Sequence, residues 1–283
     1  MKTAVIPIRN DNYGMFLAER TIQCLNSMID VFDEIIVVDW NSPHDVSLLD
    51  QIKEYIEPSG KIRNIVVSKD FVETNMKCAA QPCCEVMARN IGVRRATGEW
   101  VVSTNCDIIA TPFSLAGLSE TTMYTARKYC VEEHIHLTHL FSMTTKDKID
   151  LLKTNKHKFN RMMLCSDSPH HRDDKYSLCT GCGDFQMAHK NVWCAVRGFE
   201  EALKGRNYAD SNILGKVFSL SGFSTDIFEV DLFHLNHDSR PQYRKQLEKT
   251  HMNNKEDAFV RYILTENNDS WGFSDIEFPE TRI

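Results

Sequence analysis

An α/β fold with a mostly parallel, Rossmann-like central sheet and helices on both faces is what this sequence predicts, on three observations. Short runs such as Glu34 to Asp39 (EIIVVD) are apolar on both faces, which only a sheet covered on both sides can bury. Each run turns polar at its C-terminal end: Arg9 to Asp11 after the first, Asp39 to Ser42 after the second, Lys69-Asp70 after the third, Asn105 and Asp107 after the fourth. Helical segments separate the runs and every crossover is short, the pattern of a doubly wound half.

Composition bounds the reading. The chain has 283 residues, enough for one large α/β domain or two small ones, and its charged (25%) and hydrophobic (42%) fractions are those of a globular protein. A net charge of -6 argues against a nucleic-acid surface. No run approaches the roughly 18 apolar residues that a membrane span needs. Met1-Lys2 leads straight into the first strand with no signal peptide or anchor between, and the ten cysteines read as reduced thiols, so a cytoplasmic protein is expected.

Taken in order, the first strand is Thr3 to Asn12, stopping at Pro7 and turning polar through Arg9. A helix follows from Phe16 to Met28, with Leu17, Ile22, Leu25 and Met28 near a 3.6 period. After the second strand, Asp39 is open to two readings: a carboxylate that accepts from a pyrimidine N3–H, or a cap for a helix from Val46 to Tyr55. The third strand runs from Arg63 to Lys69. Cys179-x-x-Cys182 has zinc-ligand spacing and could be completed by Cys83 or Cys84 near Cys78, but one CxxC without a second pair favours buried free thiols. Neither GxGxxG nor GxxxxGK[ST] occurs, so a dinucleotide cofactor and a P-loop both lack a candidate.

The stretch from Arg89 to Asp107 (RNIGVRRATGEWVVSTNCD) organises the rest. A short basic helical segment closes at Ala96-Thr97-Gly98, and the strand Trp100-Val101-Val102 then ends in Ser103, Thr104, Asn105 and Asp107. Open α/β sheets place their ligands at such carboxyl ends. Asn105-Cys106-Asp107 is therefore read as the meeting point of a nucleotide diphosphate and a divalent cation, against the alternative of a strand followed by a solvated polar turn.

With V-I-P-I-R-N, V-V-D-W-N-S-P, A-R-N-I-G-V-R-R-A-T-G-E-W-V-V and N-C-D in this order and spacing over about the first 115 residues, the chain resembles the inverting, family-2-like glycosyltransferases of the GT-A fold. The resemblance implies that Pro7 and Arg9 line the nucleotide pocket, Asp39 holds the base, Arg89 braces the sheet edge and nucleotide, and Asp107 coordinates Mn²⁺ or Mg²⁺ through the diphosphate. Asn105 replaces the first acid of the family's D-x-D. Its amide can reach a ribose hydroxyl or a metal-bound water but adds no charge, so the ion should lean on other ligands.

Further along, Pro112 to Leu118 reads as a turn or short helix, Thr122 to Val131 as a strand, and Thr145 to Lys153 as an exposed helix. His134, His136 and His139 form either a zinc-binding HxH or a strand surface. Asn155 to Tyr176 is a long polar segment, either a substrate loop or a mobile one. Arg197-Gly198-Phe199-Glu200-Glu201 and Tyr208-Ala209-Asp210 match the family's acceptor half, which makes Asp210 the expected general base; capping the helix from Ser211 to Phe218 is its rival role. Asp184 is the second candidate and could instead hold a sugar. Glu200 and Glu201 are expected to pair with basic groups. In Val230 to Asp238, His234 and His237 form an HxxH where GT-A enzymes commonly complete their metal site.

An amphipathic helix from Pro241 to Leu264 and a tail with Trp271-Gly272-Phe273, either closing over substrate or packing on the sheet, end the chain. The expectation is one GT-A domain: a nucleotide-sugar half (1–115), an acceptor and catalytic half (116–240), and a C-terminal helix and tail (241–283). Its partners would be a nucleoside-diphosphate sugar, in the first place a UDP-sugar, and a carbohydrate or glycoconjugate acceptor, with no nucleic acid and no membrane span. Two rivals stand beside it: a sugar-phosphate nucleotidyltransferase, whose glycine-rich basic loop Ile8 to Gly14 lacks, and a non-catalytic nucleotide-sugar or glycan-binding module, which could dispense with Asp210.

Overall fold

The computed structural model describes residues 1–43, 46–76, 84–131, 140, 142–161, 183–203, 209–237 and 267–283. Four parallel strands form the middle of an eight-stranded sheet: β1 (Lys2–Ile8), β2 (Glu34–Trp40), β3 (Ile62–Val67) and β4 (Trp100–Thr104), in spatial order β4-β1-β2-β3. β2 and β4 bury every residue and β1 all but Lys2, as apolar runs inside a two-sided sheet must.

The crossovers are helical. α1 (Leu17–Met28) follows β1, α2 (Leu48–Ile52) follows β2, and α3 (Lys69–Asn75) and α4 (Glu85–Arg95) lie between β3 and β4. α1 and α2 cover one face through Ile22, Leu25, Met28, Leu48 and Leu49. α4 covers the other, and Gly92 lets it come close: a Cβ there would overlap the Val5 side chain.

Past β5 (Ile108–Ala110) the chain leaves the simple pattern. β6 (Thr122–Thr125) joins the large sheet, whereas β7 (Lys128–Val131) joins a second sheet. The single strand expected from Thr122 to Val131 is thus two, broken at Ala126-Arg127, because its ends bury against different cores. α5 (Thr145–Asn155) packs Ile149 and Leu152 on the second sheet, and β8 (Asn160–Arg161) closes that sheet's edge.

β9 (Phe185–His189) runs antiparallel to both β4 and β6. After α6 (Lys190–Ala195) and α7 (Ala209–Ser219), β10 (Ser224–Ile227) extends the large sheet beyond β6, and β11 (Leu232–Leu235) sits between β5 and β7 in the second one. β12 (Glu280–Arg282) pairs antiparallel with β3, and the preceding tail buries Trp271 against the α4 face. Of the two readings for Trp271, packing is the one realised. Residues 112–118 contain turns and no helix.

The HIHLTH histidines, Cys78, Cys83, Cys179 and Cys182, Tyr208, most of the segment from Asn155 to Tyr176 and the expected helix from Pro241 to Leu264 lie outside the described residues. Cys84 is buried. Among the described residues, no helix is long and apolar enough to cross a membrane.

Candidate functional site

The polar strand ends gather at one edge of the parallel sheet, around a cleft of about 260 Å³ lined by Pro7, Arg9, Asn105, Asp107, Asp184, His234 and His237. Seven of the ten predicted site residues therefore face one space. Asp39, Arg89 and Asp210 are not among its lining residues.

Backbone pairing brings Asp107 and the late histidines together. β11 lies antiparallel to β5 with His234 opposite Ile108, and Leu235 N donates to Asp107 O at 2.9 Å. His234 Nε2 stands 3.7 Å and His237 Nε2 3.1 Å from Asp107 Oδ2. Arg20 Nη1 donates to the same oxygen at 3.1 Å. Asp107 Oδ1 is buried and has no hydrogen-bond partner among the described residues.

Electrostatics follow from this crowding. Burial alone would raise the Asp107 carboxyl, but hydrogen bonds to His234 and His237 hold it well below the usual carboxylate range. Burial likewise works against a charged His234, yet its hydrogen bonds to Asp107 and Cys130 push it up to about 10.

These three side chains fit a divalent cation. One ligand atom from each of Asp107, His234 and His237 lies within 4.8 Å of the others. Neighbouring ligands of an octahedral ion held at about 2.1 Å are ~3 Å apart, close to the separations seen here. The orphaned Oδ1 is what an absent cation would leave behind, because a buried anionic oxygen without a donor is costly.

Beside the cluster a polar relay surrounds Asn105. Arg89 donates to Asn105 Oδ1, to Ser103 Oγ at 2.6 Å and to Thr104 O at 3.0 Å, bracing the end of β4. Asn105 Nδ2 donates to Asp184 Oδ1, and Lys128 pairs with the other Asp184 oxygen. The carboxylate that position 105 lacks is thus supplied next to it from the start of β9, neutralised by a lysine from β7.

Asp210 lies in the first turn of α7, half-buried, with Oδ1 accepting from Ser211 N at 2.9 Å. α7 begins at Ala209, so Asp210 is inside the helix and not its cap residue. Burial raises its carboxyl, and the neighbouring charge of Asp184 adds to the effect. Contact with the β9 end is close: a Cβ on Gly183 would sit 3.3 Å from that of Asp210.

At the opposite end, Asp39 is fully buried, with Oδ1 accepting from Ser42 Oγ and Oδ2 from Leu48 N at 2.9 Å. It ties the start of α2 to the sheet, although the cap residue of that helix is Ser47, whose side chain accepts from Asp50 N, and not Asp39. Arg9 bridges Asp11 (2.7 Å) and the Asn41 carbonyl (2.9 Å), locking the β1 and β2 loops together. Glu200 pairs with Lys216 at 3.6 Å as expected, whereas Glu201 accepts from the Asn90 amide and Gly272 N.

Three site residues escaped the sequence reading. Arg20 is 1% exposed; the signal was its place on the apolar stripe of α1, between Leu17 and Cys24. Gly14, at φ +71°, passes so near His237 that a side-chain carbon would overlap Nδ1. Lys128 carried no signal, because its partner is distant in sequence.

No protein-family model matches the chain, and none of the curated proteins does. Among solved structures, the chain is similar to the crystal structure of GalNAc-T7 with UDP, GalNAc and Mn²⁺, with a TM-score of 0.52 and 13% identity, over 92% of this chain and 49% of that one. The chain has a GT-A, Rossmann-like fold. It spans about half the length of that structure, and at 13% identity the likeness speaks for the fold alone.

Proposed function

We propose that this GT-A chain is a family-2-like, inverting glycosyltransferase that moves a sugar from a UDP-sugar to a hydroxyl of a glycan or glycoconjugate and depends on Mn²⁺. The observation that carries the reading is the meeting of Asp107, His234 and His237, with the imidazoles at Asp107 Oδ2 and with Oδ1 left without a partner among the described residues. Further support comes from GalNAc-T7, similar in fold, whose crystal structure is one with UDP, GalNAc and Mn²⁺. Two imidazoles with one carboxylate form a softer set than the oxygen shells of Mg²⁺, which favours Mn²⁺ between the two.

Held by these residues, the cation would supply charge neutralisation to a departing diphosphate. The chain's own residues do the rest. Pro7 and Arg9 line the nucleotide end of the cleft. Arg89 acts through Asn105, fixing its amide toward the cleft. Asp39 steadies the base end by anchoring residues 40–42 and the start of α2; a direct hold on the base would require Ser42 to turn away.

Asp210 is the general base, taking the proton of the acceptor hydroxyl as that oxygen attacks. Burial raises its carboxyl, which suits it to accept a proton. Asp184, with both oxygens already engaged by Asn105 and Lys128, is better suited to receive a sugar hydroxyl than a proton. In this reading residues 1–283 form one unit, with the nucleotide half in 1–115 and the acceptor half in 116–240.

The test is UDP-sugar turnover with Mn²⁺, with a chelator, and in Asp107→Asn. Turnover that survives both changes would refute the cation reading, and turnover untouched by Asp210→Asn would remove the assigned base. Nucleotide-sugar binding without any turnover would point to a non-catalytic module.

A further inference from the structure

We propose that Arg20 couples the cation site to residues 12–16 at the edge of the cleft, so that cation occupancy and the order of this loop change together. The inference rests on the reading of Asp107, His234 and His237 as cation ligands and adds a regulatory link within that site.

The loop between β1 and α1 is held in an unusual shape. Asn12, Gly14, Met15 and Phe16 all have positive φ, at +52°, +71°, +64° and +52°. Only glycine adopts this region freely, and other residues remain there where their surroundings over-determine them. Beside local bonds such as Leu17 N to Asn12 Oδ1 and Met15 N to Asn12 O, one guanidinium supplies the long-range part of those surroundings. Arg20 donates from Nε to Met15 O at 3.2 Å, and from Nη2 to Met15 O at 3.1 Å and to Tyr13 O.

The remaining arm of the same group, Nη1, reaches Asp107 Oδ2 at 3.1 Å. One rigid, almost fully buried fork thus holds the loop carbonyls and a cation-binding carboxylate at once. A second path closes the circuit. Tyr13 meets His237 edge to face, with centroids 5.3 Å apart, and the missing side chain of Gly14 gives His237 Nδ1 its room.

A cation shared by Asp107 weakens the hold of that carboxylate on Arg20, since two positive groups then compete for one anion. Arg20 cannot respond without moving the carbonyls it grips. Linkage makes the effect reciprocal: if the cation changes the order of the loop, a shift in that order also changes cation affinity. Asp11 and Tyr13 line the cleft, and Met15 and Phe16 are exposed beside it. The entering donor would therefore meet a wall whose order depends on whether the cation has already bound.

The experiment is hydrogen–deuterium exchange of the amides of residues 12–17, with and without Mn²⁺, in the wild type, Arg20→Lys and Arg20→Met, alongside calorimetric Mn²⁺ titration. Mn²⁺ is expected to change exchange at these amides by at least ~5-fold in the wild type. Arg20→Met should still bind Mn²⁺ but lose the change, and Arg20→Lys should keep part of it. Met15→Gly approaches from the loop side and decides the matter should Arg20→Met not fold: by loosening a residue held at φ +64° it should change Mn²⁺ affinity at least ~5-fold, although Met15 is exposed and supplies no ligand. Mn²⁺ that binds the wild type while leaving 12–17 unchanged overturns the coupling alone, as does the same change in Arg20→Met or unaltered affinity in Met15→Gly. Wild type that takes up no Mn²⁺ overturns the cation reading and the coupling with it.

Discussion

Asp39 and Asp107 stand at the carboxyl ends of two strands of one parallel sheet, and their surroundings move their protons in opposite directions. Asp39 meets only neutral donors, the Ser42 hydroxyl and the Leu48 amide, and burial leaves its carboxyl raised. Asp107 is just as enclosed, yet the hydrogen bonds and charge of two imidazoles outweigh burial and lower it. Asp39 spends both oxygens on the fold, whereas Asp107 keeps Oδ1 without a partner among the described residues. Strand position alone therefore does not mark a ligand site; the cations gathered around the carboxylate and the oxygen it leaves over do.

The largest effect that sharpens this contrast is expected from Asp107→Asn. Losing the anionic ligand should reduce Mn²⁺-dependent UDP-sugar turnover by ~10³-fold or more, read as kcat/KM, because charge neutralisation at a leaving group is a dominant catalytic contribution. An effect of that size from Asp39→Asn in place of Asp107→Asn would invert the comparison. Asp210→Asn comes next. Removal of a general base should lower kcat by ~10²- to 10⁴-fold while UDP affinity stays near the wild-type value. A fall in UDP affinity with kcat preserved would move Asp210 from the chemistry to donor binding.

Titration gives a third, smaller effect. A cation needs neutral imidazoles, and His234 keeps its proton up to about 10 in the cation-free protein, so binding must expel that proton. Mn²⁺ affinity should rise by nearly tenfold per pH unit below that value, with a proton released in calorimetry at different buffer ionisation heats. Stability of the cation-free protein runs the other way. The folded pKa of His234 lies above its unfolded value, so its contribution is complete below about 6.5 and is lost as pH rises through about 10. For Asp107, whose folded pKa is depressed, the contribution is present above the ordinary carboxylate value and disappears as pH falls through the lowered one. Melting temperatures from pH 5 to 10, with and without Mn²⁺, should therefore diverge as pH rises.

The same contrast explains what the sequence could show. β1 to β4 were legible because a strand buried on both faces must be a solid apolar run, and their polar ends marked one edge of the sheet. His234 and His237 were legible through the deficit at Asn105. β12 was not: Glu280, Thr281 and Arg282 are exposed and pair with β3 through backbone, with the Arg63–Glu280 ion pair alongside. Neither was the break at Ala126-Arg127, since β6 and β7 are equally rich in strand formers and differ only in which core receives them. Asp184 and Lys128 meet across more than fifty residues, a pairing that no local pattern encodes.

Asp39→Asn should give the smallest effect and the finest discrimination. An amide keeps an acceptor for Leu48 N, but its NH₂ must face Ser42 Oγ, which already accepts from Asn10 N at 2.8 Å. Rearranging this small network should cost about 1 kcal/mol of stability, comparable to one neutral hydrogen bond. Because the carboxylate is occupied by the helix start and the β2 loop, UDP affinity should change by less than ~3-fold, a change on the scale of half a kcal/mol. Thermal melts and UDP titrations on the same protein separate the two roles. A tenfold loss of UDP binding with an unchanged melting temperature would mean that Ser42 yields and Asp39 holds the base directly. Asp39 would then join Asp107 as a ligand-binding carboxylate, one recognising a neutral donor and the other a cation.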